Sequence, residues 1–319
     1  MSVTLLHRAV PSLRTPTWQA IRRQQQRAVS TTELSNGIKI AYDLYEPNAK
    51  KAIGGSPIVF IHGLFGSKRN NRSMSKVLVR DLNRPVYAID TRNHGESSHT
   101  LVHTYTAIAE DVELFIAEHR LESVTLIGHS MGAKTAITIA LRQGQRESKI
   151  GPKTIANVIP VDNAPVDAAL LSSFAKYILG MRRIEDARVT SLDAADKILQ
   201  ELEDSLPVRQ FLLTNLVREM DHPEDTNTRK WRIPLKYLWP ALNAMGDFPF
   251  SDPDAIRWEG PALFVRGTQS PYIADEMLPT IGRFFPGFRL VDVEAGHWVI
   301  SEKPEEFREA VVDFLQDKA

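Results

Sequence analysis

The chain of 319 residues contains no cysteine. That absence removes disulfides, thiolate nucleophiles, cysteine-ligated zinc and iron–sulfur clusters together. Net charge is also missing, because 39 Lys and Arg are matched by 39 Asp and Glu. A nucleic-acid partner is therefore not expected, since such proteins carry a basic excess. No run approaches the roughly 18 uninterrupted apolar residues of a membrane span, so no transmembrane segment is expected either. The sequence also lacks GxxxxGK[ST], the dinucleotide GxGxxG and HExxH, so nothing demands a metal or an organic cofactor. What is present is an ordinary apolar fraction of 43%, enough for a large core without staples.

The neutral total hides an asymmetry. Residues 1–32 hold Arg8, Arg14, Arg22, Arg23 and Arg27, and the first acid is Glu33. An Arg-rich, hydroxyl-rich, acid-free leader without a continuous apolar segment has the composition of a mitochondrial transit peptide. We assign residues 1–30 to such a segment, with the mitochondrial matrix as the destination and the import machinery as a partner. Subtracting it leaves 39 − 5 = 34 basic residues against 39 acidic, a net of −5.

After the leader, two short apolar stretches flank Asn36–Gly37, a hairpin signal. Strands are then expected over 57–61 (PIVFI), 85–90 (PVYAID), 124–128 (VTLIG), 158–162 (VIPVD), 261–267 (PALFVRG) and 290–293. Near-continuous apolar runs suit strands buried on both faces, as in a parallel sheet. Ile108, Val112 and Phe115 recur at helical spacing, as do Phe307, Ala310, Val311 and Phe314. Strand alternating with helix means an α/β class with a mostly parallel central sheet flanked by helices. The alternation lapses between 166 and 257, where 191–203 and 208–218 read as helices before an aromatic, proline-punctuated stretch (WRIPLKYLWP). That length exceeds a simple loop. We read 31–165 and 258–319 as the core and 166–257 as an inserted helical cap.

The sharpest motif is Gly128–His129–Ser130–Met131–Gly132, with an apolar strand before it and a helical stretch over 133–142 after it. A strand, a tight turn carrying serine and then a helix is the order a nucleophile elbow requires. Serine at its free pKa is a weak nucleophile and needs a base beside it. Of nine histidines, His297 follows the last expected strand and so shares the carboxyl end of the sheet with Ser130. The acid commonly follows the strand before that histidine, yet the sequence there reads Gly267–Thr268–Gln269–Ser270. Asp162, at the end of the strand after the nucleophile helix, keeps the chain order Ser, Asp, His; Asp275 is the other candidate. The loop His62–Gly63–Leu64–Phe65–Gly66 stands where an oxyanion donor belongs, making Leu64 N–H and Met131 N–H the expected pair. His62 is expected to shape that loop, as is the segment 90–97. Phe65, His129 and Trp298 are candidates for the pocket wall, and Trp231, Tyr237 and Trp239 for the acceptor pocket or the core of the cap.

HGLFGSKRN, DTRNHGESS, GHSMGAKTA, VDNAP and EAGHW, in that order, resemble the α/β-hydrolase superfamily. In particular they are similar to its mitochondrial serine-hydrolase branch, abhydrolase domain-containing protein 11-like, which includes fungal ethanol acetyltransferases. The resemblance spans about residues 34–319. It implies an α/β-hydrolase fold with Ser130 as nucleophile, Asp162 and His297 as its relay, and a mitochondrial address. It departs from the pattern at Ala133, where glycine is usual, and in the polar stretch 143–153. The expected activity is cleavage of carboxylic esters or thioesters, the substrate being a small acyl ester or acyl-CoA. The alternatives are an alcohol O-acetyltransferase making acetate esters from acetyl-CoA, and a catalytically silent binding protein on the same fold.

Overall fold

The computed structural model describes residues 29–47, 55–143, 145–167, 173–218 and 228–317. The leader expected over 1–30 lies outside the described residues except for Val29 and Ser30, and Ser30 already pairs with Tyr42 in the first hairpin. One eight-stranded sheet organises the molecule. Its strands are β1 (Ser30–Glu33), β2 (Lys39–Tyr45), β3 (Ile58–Ile61), β4 (Val86–Ile89), β5 (Val124–His129), β6 (Ile155–Val161), β9 (Ala262–Gly267) and β10 (Phe288–Val293). They run in the order β1-β2-β4-β3-β5-β6-β9-β10. β1 pairs β2 and β2 pairs β4 antiparallel, and every pairing from β4 to β10 is parallel. The hairpin expected at Asn36–Gly37 is the β1–β2 connection, with Gly37 at φ 80°.

Alternation along the strands divides the core. In β3, Ile58 and Phe60 face one layer while Val59 and Ile61 face the other. The first layer is packed by α1 (Arg72–Leu82) and α10 (Pro304–Gln316) through Leu78, Phe307 and Val311. The second is packed by α2 (Tyr105–Glu118), α3 (Met131–Arg142) and α8 (Leu278–Phe284) through Phe115, Ile137 and Phe284. Full burial of each such side chain contributes about 1.5–3 kcal/mol. Two covered faces explain why β3, β5 and β9 read as unbroken apolar runs.

Between β6 and β9 lie α4 (Ser173–Asp186), α5 (Leu192–Gln200), α6 (Leu206–Leu213), the hairpin β7–β8 (Leu216–Arg218 and Arg229–Trp231) and α7 (Leu235–Gly246). The hairpin corrects the helix expected over 208–218. α6 stops at Leu213, because Asn215 turns inward and its Nδ2 donates to Phe65 O at 2.7 Å. This inserted segment packs an apolar cluster over Leu64, Phe65, Tyr105, Ile108 and Met131. Lys134 of α3 fastens it further: its buried ammonium donates to Gly246 O at 2.9 Å and Asp247 O at 3.2 Å, at the carbonyl end of α7. Burial pulls the Lys134 pKa down to about 8, against the opposing pull of Asp167 and Asp247. Among the described residues no helix is long and apolar enough to cross a membrane.

Candidate active site

β5 ends at His129 and α3 begins at Met131, leaving Ser130 alone in the turn at φ 55° and ψ −112°. A non-glycine residue at positive φ is strained and persists only where its surroundings dictate it. Here they do. A Cβ on Gly128 would stand 2.0 Å from Gly132 O, and one on Gly132 would stand 2.4 Å from Ile61 O. The two glycines let strand, helix and the neighbouring β3 close on one another, and the serine takes up the residual strain. Ser130 N–H is anchored to Val161 O at 2.9 Å, and Asn163 Nδ2 donates to Ser130 O at 3.2 Å.

His297 follows β10 and reaches Ser130. Its Nε2 is 2.9 Å from Ser130 Oγ, and its Nδ1 is 2.7 Å from Asp162 Oδ2. A carboxylate only accepts, so Nδ1 carries the proton and Nε2 accepts from the serine hydroxyl. Asp162 is fully buried just beyond β6, at φ 51°, a conformation Asp tolerates better than most residues. Its Oδ1 accepts Gly267 N–H at 3.1 Å, and its Oδ2 accepts the Ser270 hydroxyl as well as the imidazole. Gly267 must lack a side chain, since a Cβ there would meet Gly296 O at 2.3 Å. Asp275 is placed elsewhere: it is 81% exposed and bound to Arg266 on the surface. Ser270, at the position after β9 where the sequence lacks an acid, therefore holds the Asp162 carboxylate that follows β6.

The histidine loop is pinned from three sides. Glu302 accepts Gly296 N–H at 2.8 Å and Trp298 N–H at 3.2 Å. His129 Nε2–H donates to His297 O at 2.7 Å. Burial, with a smaller contribution from the neighbouring His297, lowers the His129 pKa to about 4, so it stays neutral near pH 7. Tyr272 stacks on His297 with ring centres 4.1 Å apart. Ser270, Tyr272 and Asn163 are contacts the sequence reading missed. Only Ser270 left a trace, as the hydroxyl standing in the usual acid position.

The loop after β3 closes against the elbow, where a Cβ on Gly63 would stand 3.3 Å from Ser130 Cβ. Leu64 N–H and Met131 N–H donate to no group among the described residues, whereas the flanking Phe65 N–H is taken by His94 Nε2 at 3.1 Å. His62 donates from Nδ1 to Gly63 O at 2.8 Å and accepts Thr91 N–H at Nε2. Burial lowers its pKa to about 4, which keeps Nε2 an acceptor. Below it, buried Asp90 accepts from Lys68 N–H, Lys68 Nζ and Glu96 N–H, at 2.6, 2.7 and 3.0 Å. The segment 90–97 and His62 thus shape the loop.

A cavity of about 870 Å³ opens beside the elbow, walled by Gly63 and His129, by Phe211 of the cap and by Trp298. Phe65 does not line it. That ring is buried against Phe174 of α4, 5.9 Å between centres, because its backbone turns at φ 61°. Trp231 belongs to the cap core, its Nε1 donating to Met181 O at 2.8 Å, while Trp239 lies on the surface.

This arrangement has counterparts. The family profile of the alpha/beta hydrolase fold matches residues 56–304, so the chain belongs to that family and is an enzyme of its class. It is 39% identical to the "Probable alcohol acetyltransferase" of Saccharomyces cerevisiae over 88% of this chain and 84% of that one. It is 37% identical to the sn-1-specific diacylglycerol lipase ABHD11 of Xenopus tropicalis over 89% and 84%. Among solved structures, a marine microorganism esterase aligns with a TM-score of 0.75 and 30% identity, covering 86% of this chain and 98% of the esterase.

Proposed function

We propose that the protein is a serine hydrolase of carboxylic esters or thioesters that works through an acyl-enzyme on Ser130. The observation that carries the reading is the continuous chain Ser130 Oγ–His297–Asp162 at 2.9 and 2.7 Å. Ser130 Oγ attacks the acyl carbonyl while His297 Nε2 takes the hydroxyl proton. Asp162 holds the imidazole in the Nδ1–H form and offsets its charge. Leu64 and Met131 N–H groups receive the developing oxyanion, each such donor being worth about 2.7–4 kcal/mol in the transition state. The bond to the leaving group breaks as His297 returns the proton to it. Water then attacks the acyl-enzyme with His297 as base, releasing the acid and restoring Ser130.

A second outcome shares the same intermediate: an alcohol replaces water and an acetate ester is formed from acetyl-CoA. Ser130 is only 5% exposed beneath the cap, which favours an acceptor delivered through the cavity over bulk water. The acetyltransferase among its relatives supports the same reading. Timed product analysis with acetyl-CoA and ethanol separates the two. Ethyl acetate rising with ethanol at the expense of acetate marks transfer, and acetate alone at saturating ethanol marks hydrolysis. A fluorophosphonate probe tests both against a silent binding protein, because wild-type chain left unlabelled, or Ser130→Ala labelled equally, would rule out the acyl-enzyme. The five arginines and absent acids of residues 1–32 support a mitochondrial matrix address and import through the leader.

Ser270 is the positioning residue specific to this arrangement. Ser270→Ala removes one of three donors to Asp162, and we expect kcat to fall roughly tenfold with KM held. Ser270→Asp sets a second carboxylate against Asp162 and should cost far more. Steady-state hydrolysis of p-nitrophenyl acetate by the two variants checks the order.

A further inference from the structure

The cavity has an end that the proposed acyl chemistry does not use. Its wall there consists of Asn70, Asn71, Ser73, Met74 and Val77, at and before the first turns of α1. Asn71 is the N-cap residue of that helix, yet its side chain makes no capping hydrogen bond. It is 4% exposed, and its Nδ2 has no partner among the described residues. Ser73 and Met74 N–H groups likewise donate to nothing among the described residues, and the first turn of α1 holds no acid. Donors without acceptors at the positive end of a helix are the complement of an anion.

Two arginines stand near this end without lining the cavity, close enough to feel each other's charge. Arg69 precedes Asn70, and Arg232 N–H donates to Asn215 O at 2.8 Å, next in sequence to Thr214 of the cavity wall. Arg69 gives Nη2 to Glu96 at 3.0 Å. The Arg232 guanidinium, half-buried, has no hydrogen bond or ion pair among the described residues. Both burial and the Arg69 charge weigh against its protonated form. Among the described residues, Lys68, Arg69 and Arg232 face Asp90 and Glu96, three cations against two carboxylates. The acids elsewhere on the wall are engaged: Glu302 by Gly296 and Trp298 N–H groups, Glu305 by Arg308.

We propose that the α1 first turn, Asn71, Arg69 and Arg232 together bind a phosphate carried on the leaving-group side of the acyl substrate. This rests on the acyl-transfer reading above, since the elbow end of the same cavity is walled by Gly63 and His129. Two leaving groups carry such a phosphate: the thiol of coenzyme A and a glycerol phosphate. The test compares matched pairs, acetyl-CoA against S-acetyl-N-acetylcysteamine, and 1-butyryl-glycerol 3-phosphate against 1-butyryl-glycerol. In the wild type the phosphate-bearing member of at least one pair should have the higher kcat/KM, and the pair showing it identifies the source. Arg232→Gln, and independently the exposed Arg69→Gln, should each lower that ratio roughly tenfold or more, the loss of a charge-assisted contact. No preference in either pair, or a ratio unchanged in both variants, overturns the proposal. Ser130 labelling and wild-type turnover of p-nitrophenyl acetate test the acyl-enzyme separately, so the two readings fail independently.

Discussion

Ser130→Ala is expected to lower kcat by about six orders of magnitude while the chain stays folded. In a serine–histidine–acid unit, loss of the nucleophile alone costs about as much as loss of the whole relay. Among the described residues, neither histidine beside the elbow can replace it. His129 gives its Nε2–H to His297 O, and His62 is committed to Gly63 and Thr91. Alanine keeps the backbone turn and the packing of Gly128 against Gly132, so circular dichroism and thermal midpoint should match the wild type. Activity on p-nitrophenyl acetate measures the loss. A variant retaining a tenth of the wild-type rate would place the chemistry on another residue.

Asp162→Asn is the second large effect, a fall in kcat of about 10⁴ with little change in fold. Asp162 is buried and receives three donors: Gly267 N–H, the Ser270 hydroxyl and His297 Nδ1–H. An amide presents its own N–H₂ to at least one of them. It also permits the tautomer in which Nε2 carries the proton and no longer accepts from Ser130. Asp275→Asn is the control. That carboxylate is 81% exposed and paired with Arg266, an arrangement worth little in water, so kcat should not change. If Asp275→Asn gave the 10⁴-fold loss and Asp162→Asn did not, the assignment of the acid would be reversed.

The elbow was legible because its determinants are local. Gly128, Ser130 and Gly132 lie within five residues, and strand and helix follow from the flanking apolar pattern. His297 was legible by position, directly after the last strand. The acid was harder, since two aspartates fitted the chain order and the contacts that separate them cross the sheet. Ser270 and Gly267 lie more than 100 residues from Asp162 and meet it only because β9 pairs with β6. The cap was least legible. Its hairpin depends on Asn215 reaching 150 residues back to Phe65, and its docking depends on Lys134 meeting the end of α7.

Composition excluded thiol chemistry outright, and periodicity set the α/β class, because burial on both sheet faces writes itself into each strand. Local turn chemistry placed the serine and the histidine. Tertiary structure alone decided which aspartate meets His297 and which aromatic residues line the cavity. Each of those depends on groups far apart in the chain brought within a few ångströms by strand order, and spacing along the sequence carries no record of that distance.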